Sequence, residues 1–431
     1  MEAQVELLLG QVLQFDQSPF DAPPEQAARH TPKGAVAVQD GMIVEVGDAD
    51  ALRRKYTSAQ ITDMGDALLS PGFVDAHVHY PQTAIIASWG KRLIDWLNSY
   101  TFPEESRFED PDHAMQIADT YFDLVTAAGT TTTVSYCTIH PESVDAYFTA
   151  AQARGLRALG GKTCMDRNAP DALRDSAQSA YDDSKALIGR WHGQDRLSYV
   201  ITPRFAPTST PEQLDALGSL WAEYPELLMQ THISEQHEEI AWVADLFPEA
   251  RDYLDVYERF GLAKKGALMG HAIHLTERER DRLKELDASL IHCPTSNMFI
   301  GSGLFDMDGL MKQGHRVGLA TDTGGGSSFS MLRTMAAAYE VGQLSGTALH
   351  PAQLWWLATA GSANALHLGD RIGQLAPGFE ADIIAVDLGS TPAIAQRAAR
   401  GEDIWEVLFP TIMMGDDRAI SAVWAAGRKL R

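Results

Sequence analysis

Short apolar runs that stop at one polar residue recur along this 431-residue chain, and segments of helical period fill the intervals. The run Leu68-Leu69-Ser70-Pro71-Gly72-Phe73-Val74-Asp75-Ala76 leads into His77-Val78-His79, and Leu227-Leu228-Met229-Gln230 leads into Thr231-His232. Ala267-Leu268-Met269 ends at Gly270-His271, and Val317-Gly318-Leu319-Ala320 ends at Thr321-Asp322. Continuous apolar runs of this length suit strands covered on both faces. Between them, Pro211 to Tyr224, Glu235 to Phe260 and Thr276 to Leu286 carry the spacing of amphipathic helices. The pattern predicts strands near 68–77, 132–137, 156–163, 198–204, 227–232, 267–271, 288–292 and 316–321. Eight strand-helix alternations over about 250 residues match an α/β chain folded as a (β/α)8 TIM-like barrel, whose active site gathers at the C-terminal strand ends. An open doubly wound sheet would draw its ligand crevice from few strand ends, whereas polar residues here mark most of them.

The chain is longer than a bare barrel, and its two ends carry patterns of their own. Residues 5–14, 35–47 and 60–69 read as short strands, with a hairpin from Ala35 to Val44 that turns at Asp40-Gly41. Residues 381–387 and 419–427 look alike. These segments predict a small β-sandwich domain built from both chain ends, residues 1–67 and 372–431, beside a catalytic barrel of residues 68–371. The stretch Phe15 to His30, rich in Pro and Ala, reads as a loop.

Charge narrows the partners. With 58 acidic against 35 basic side chains the formal charge is −23, so the surface repels polyanions and argues for no nucleic acid and no anionic membrane as partner. A small substrate that is not strongly anionic fits better. Cys137, Cys164 and Cys293 each fall in or beside a predicted strand and form no C-x-x-C pair, which suits a reducing compartment. Met1-Glu2-Ala3-Gln4 lacks the basic region of a signal peptide and no apolar stretch is long enough to span a bilayer, so the expected location is cytoplasmic.

His77 and His79 open the chemistry. Residues i and i+2 of a strand point to one side, so two imidazoles can close on one cation. With His232 and Asp322 they give three nitrogens and one carboxylate from three strand ends, a set that leaves a position for water as catalytic zinc sites do. Zinc is the first choice, and iron or manganese fits the same N/O ligands. Such a cation lowers the pKa of a bound water from about 15.7 to about 7, giving a nucleophile at neutral pH, with Asp322 placed to accept a proton. Glu235, three residues after His232, has two readings: a proton shuttle, or a first-turn acid favoured by the helix dipole. His271 is either a donor beside the attacked centre or a hydrogen-bonded strand-end histidine, while His237 and His274 read as helix-start or surface residues.

Pro71-Gly72-Phe73-Val74-Asp75-Ala76-His77-Val78-His79 resembles the opening signature of the amidohydrolase superfamily, and Gly373 to Asp382 is similar to its return into the small β-domain. More narrowly, Tyr80-Pro81-Gln82, Trp96 to Pro103, Met165-Asp166-Arg167-Asn168, Pro203-Arg204-Phe205 and His292 to Asn297 together resemble its guanine deaminase family. The resemblance runs from about residue 68 to the end. It implies a metal-dependent hydrolase of C–N bonds in cyclic amidines that turns guanine and water into xanthine and ammonia in purine catabolism, and a homodimer. Its metal ligands carry over to His77, His79, His232 and Asp322, its shuttle to Glu235, and its donor near the attacking water to His271. Substrate contacts carry over to Gln82, Arg204 and Phe205, beside His232, Glu235 and Asp322. Relatives with two metals bridge them through a lysine at the fourth strand end; here that end reads Thr202-Pro203-Arg204-Phe205, which implies one zinc per subunit. Lys162, at the third strand end, reads as a paired or snorkelling lysine.

Rival activities differ at named residues. A deaminase for another purine, a pterin or a triazine would keep the ligands and change Gln82, Arg204 and Phe205, and a non-catalytic binding protein would keep only the barrel. Residues 84–107, with Trp89, Trp96 and Tyr100, read either as a cover over the site or as packing against the barrel wall.

Overall fold

The computed structural model describes residues 4–90 and 93–431, so Lys91 and Arg92 of the expected cover and the first three residues of the leader reading lie outside the described residues. Eight parallel strands succeed one another around a barrel: Phe73–Val78, Thr130–Tyr136, Arg157–Gly161, Leu197–Pro203, Leu228–Ile233, Ala267–His271, Ser289–His292 and Arg316–Leu319. Each pairs with the next in parallel register, as in Met229 with Ala267 and Ser289 with Arg316. The seam between the eighth and first strands is drawn together past their ends, where the Asp322 amide donates to the His77 carbonyl at 3.0 Å. Below that point the buried Asp75 carboxylate accepts from the Thr321 amide at 2.9 Å and the Thr321 hydroxyl at 2.6 Å.

One apolar cluster takes Val74, Ala76, Val134, Leu159, Val200, Leu268 and Ile291, with Leu228 packed against it. A cluster drawing on nearly every strand can only lie on the barrel axis. Two-residue alternation from Val134 and Leu228 then aims Tyr136 and His232 at the same axis, nearer the C-terminal mouth. In the first strand a register shift between Asp75 and Val78 interrupts the alternation after Ala76, and irregularities of this kind re-aim side chains. His77 and His79 turn inward there. Gly72 lets this strand approach its neighbour, since a Cβ would lie 2.2 Å from the Thr131 hydroxyl.

The chain ends form one mixed sheet of seven strands, in the order Arg428–Lys429, Ile420–Ala425, Ile383–Val386, Gln60–Pro71, Glu6–Phe15, Ala28–Gln39 and Met42–Asp48. The sheet folds over itself: Val36, Val38 and Ile43 from one edge share a core with Ile383 and Trp424 near the other, and the Ile43 amide reaches the Phe379 carbonyl at 2.8 Å. The expected sandwich is therefore two halves of a single sheet. Its hairpin turns at Asp40 and Gly41, both with positive φ. At the barrel end remote from the histidines, Arg196 bonds Glu380 at 2.6 Å and also pairs with Asp382, while Arg157 joins Glu380 at 3.1 Å.

Three expectations need correction. Leu68 to Pro71 belong to the small sheet, pairing with Ile383–Val386, so the first barrel strand starts at Phe73. The helical stretch 235–260 is two helices, His237–Leu246 and Tyr253–Arg259, because Pro248 cannot continue the first. Phe15 to His30 is not all loop: it holds a short helix, Pro24–Ala27, and the start of a strand in which Ala28 pairs with Phe15. Among the described residues no helix is long and apolar enough to cross a membrane.

Candidate active site and metal cage

Ligand nitrogens of His77, His79 and His232 all lie within 4.8 Å of one another. His79 Nε2 and His232 Nε2 are 3.2 Å apart, and Asp322 Oδ1 sits 3.5 Å from His77 Nε2 and 3.7 Å from His79 Nε2. These separations suit ligands around a common centre better than hydrogen bonds to each other. His77 Nε2 is buried with no hydrogen-bond partner, a state that burial makes costly unless another group completes it. The other nitrogen of His232, Nδ1, faces the Arg204 carbonyl at 2.7 Å, which fixes the ring and leaves Nε2 as the free lone pair. Burial lowers the pKa of His77, and lowers those of His79 and His232 much further, so all three imidazoles are neutral. Burial pushes Asp322 up but His77 and His271 pull it down, to about 2. Three neutral nitrogens and one anionic oxygen fit a divalent cation of the zinc type.

Around this cage stand two more buried titratable groups, Glu235 and His271. Glu235 Oε1 accepts from the Ser302 hydroxyl at 2.7 Å, which leaves Oε2 facing inward, 3.6 Å from His271 Nε2. Burial raises the Glu235 pKa, so this carboxyl holds a proton more readily than an exposed one. His271 Nδ1 meets Asn297 Oδ1 at 2.8 Å, and its Nε2 lies 3.8 Å from Asp322 Oδ2. Burial lowers the His271 pKa, but the charges of Glu235 and Asp322 outweigh it and the net shift is upward. Ser234, His271 and Asp322 all have positive φ, an uncommon backbone state for such residues that clusters at functional sites. Behind Glu235, the buried Glu239 accepts from the Glu235 amide at 2.8 Å and from the Tyr253 hydroxyl at 2.7 Å.

A pocket opens over the cage. His79, His232, Glu235, His271 and Asp322 form one wall, and Gln82, Arg204, Phe205, Trp96 and Leu97 line the rest. Every residue expected at the site except His77, which lies beneath, thus borders one space. Trp96 borders the pocket and also packs with Leu97, Phe102 and Met165, so it fits both readings, whereas Trp89 is 73% exposed. Lys162 stays away from the cage, paired with Asp175 among buried groups, as its reading as a paired lysine expects.

A model of the amidohydrolase family matches residues 68–430, and one of a bacterial imidazolonepropionase-like composite domain matches residues 34–59. A guanine deaminase of Escherichia coli (strain K12) is 41% identical over 412 residues, which cover 95% of this chain and 94% of that one. The crystal structure of guanine deaminase from Bradyrhizobium japonicum superposes with a TM-score of 0.96 at 33% identity, covering 99% of both chains. That of guanine deaminase from C. acetobutylicum with bound guanine in the active site has a TM-score of 0.90 at 28% identity, covering 99% of this chain and all of that one. The chain belongs to the amidohydrolase family.

In this amidohydrolase several residues that shape the site carried no local signal. The Tyr136 ring stacks on His79 with centroids 4.6 Å apart and lies 4.8 Å from His77 and 4.7 Å from His232, forming a floor under the cage. Gly270 makes room for His77: a Cβ there would sit 2.7 Å from the imidazole Cε1. Asn297 holds His271 from 26 residues away, Ser302 holds Glu235 from 67 residues away, and Glu239 holds the Glu235 amide from the next helix turn. The motif His292 to Asn297 could have pointed to Asn297; nothing in the chain's periodicity pointed to the others.

Proposed function

We propose that this amidohydrolase is a guanine deaminase, which hydrolyses guanine to xanthine and ammonia. The observation that carries the reading is the pocket itself: Arg204, which only donates, Gln82, which donates and accepts, and the Phe205 ring share one small space with the histidine-carboxylate cage. The relative from E. coli and the guanine-bound structure from C. acetobutylicum support it. We read His77, His79, His232 and Asp322 as ligands of one zinc ion per subunit, and iron or manganese as ions the same donors accept.

When bound, the ion supplies an acidified water beside the substrate. Arg204 donates to the purine O6, Gln82 bonds along the purine edge, and Phe205 offers an apolar face. Glu235, whose carboxyl holds a proton readily, delivers it to ring N3 and makes C2 electrophilic. Asp322, held ionised, takes the proton of the attacking water, with His271 donating at the same centre. As the C2–N2 bond breaks, the proton taken by Asp322 passes to the departing amine and leaves with ammonia, while the proton of the new C2 hydroxyl returns to Glu235 and C2 keeps the water oxygen as a carbonyl. His232 and Asp322 border the substrate as well as the ion.

The same reading divides the chain into a small β-domain, residues 1–67 and 372–431, whose sheet also takes in Leu68 to Pro71, and a catalytic barrel over the rest of residues 68–371. It also takes the enzyme as a homodimer, which the family resemblance implies, and as cytoplasmic, which three buried and unpaired cysteines support. Ammonia release from a panel of guanine, adenine, pterin and triazine bases, before and after chelation and zinc add-back, tests the function. The expected result is turnover of guanine that chelation abolishes and zinc restores. Turnover of another base with none of guanine refutes it.

A further inference from the structure

Glu105 joins the two residues that face the purine. Its Oε1 accepts from Gln82 Nε2 at 2.8 Å, and its Oε2 accepts from Arg204 Nη1 at 2.7 Å. The side chain is 1% exposed, so this carboxylate serves the pocket wall and not the solvent. Its neighbour Glu104 points elsewhere, to His113 at 3.0 Å and Arg107 at 2.9 Å, and ties the short helix Phe102–Glu105 to the next one.

The geometry has a consequence for the amide. A glutamine side chain can turn over and exchange its donor and acceptor ends. Here an acceptor-only carboxylate binds one end, and the donor-only Gly324 amide reaches Oε1 at 3.3 Å on the other. The amide can then adopt one orientation only. Arg204, held by the same carboxylate and 5.7 Å from the Phe102 ring, keeps its remaining N–H groups for the pocket. We propose that Glu105 is the residue that sets selectivity for 6-oxopurines, by fixing both side chains so that position 6 of the base meets a donor. An oxygen at that position accepts; a 6-amino group brings a second donor and leaves buried groups unpaired.

This inference rests on the guanine reading, and the experiment separates the two. Inhibition constants of hypoxanthine, which keeps O6, and adenine, which carries a 6-amino group, are measured for the wild type and Glu105→Gln, with guanine kcat and KM and metal content alongside. In Glu105→Gln one face of the new amide must present N–H to a donor. The expected result is a 10- to 100-fold higher KM for guanine, a smaller change in kcat, unchanged metal, and a hypoxanthine-over-adenine preference reduced about tenfold or more, the loss of one charged hydrogen bond. Glu105→Asp, which keeps the charge but is too short to reach both partners, provides a second variant if the first does not fold, and it too should lose part of the preference. A preference unchanged in the variants that fold, or equal losses of kcat for every base with a lowered melting temperature, overturns the proposal and leaves Glu105 structural. Absence of guanine turnover in the wild type would instead defeat the functional reading.

Discussion

Replacing Gly270 by Ala tests the cage without touching a ligand. The added Cβ would meet His77 Cε1 at 2.7 Å, His77 Nδ1 at 3.0 Å and the Thr231 carbonyl at 3.2 Å. Ordinary carbon contacts lie near 3.5–4.0 Å, so the imidazole must retreat by about 1 Å. Ligand distances in a metal site tolerate only ~0.2 Å, and the strand carrying His77 is bonded to the seam on one side and to its neighbour on the other. Two costs follow: overpacking of about 1–3 kcal/mol in stability, and a 10- to 100-fold loss of metal affinity of the kind seen when a supporting group is disturbed. Metal retained after dialysis against chelators of graded strength reads the second cost, and melting temperature reads the first. Gly189→Ala is the control, since a Cβ there meets nothing within 4 Å and lies in the helix Ala177–Trp191, where Ala is favoured. Gly270→Ala retaining wild-type metal and wild-type kcat would show that the His77 position is not what holds the ion.

Two further outcomes are expected. Glu235→Gln should keep its metal and lose about 10²–10⁴-fold in kcat, the usual share of a general acid-base, and single-turnover guanine hydrolysis with metal analysis decides it; near wild-type kcat means that another group carries the proton. Glu239 gives a pH signature: burial, then the nearby Glu235, raises it to about 7, above its unfolded value of about 4.3. Its protonated form therefore favours the fold at low pH, and that contribution disappears as pH rises from about 4.3 through about 7. The melting temperature of Glu239→Gln relative to wild type should climb between pH 5 and pH 7.5; a constant difference would mean that Glu239 does not titrate there.

How far the chain could be read depended on whether a signal was local. Strand ends such as Thr231-His232 and Thr321-Asp322 announce themselves, because a buried apolar run that stops at a ligand-type residue has little other reason to do so. The eight barrel strands followed from the same alternation, and their boundaries moved by only a few residues. What failed were features set by a pairing partner outside the segment itself. Ala28 looks like loop until its pairing with Phe15 is known, and Leu68 to Pro71 read as barrel until Ile383–Val386 claims them.

The same division runs through the site, and it orders the residues by what they do. On the proposed reading the ligands and Glu235 act on the reaction directly, so each needs one chemical type at one strand end, and type is visible in a sequence. Glu105, Gly270, Ser302 and Tyr136 act by holding or leaving room for another side chain, and their value is a distance. Glu105 shows the difference: beside Glu104 in a charged stretch it has the profile of any surface acid, and only the fold reveals that one glutamate pairs with Arg107 and His113 close by in the chain while the next bridges Arg204 and Gln82 across 99 and 23 residues. A chain that kept every ligand but changed that glutamate would still read as the same kind of hydrolase, and its choice of base would be the property to change first.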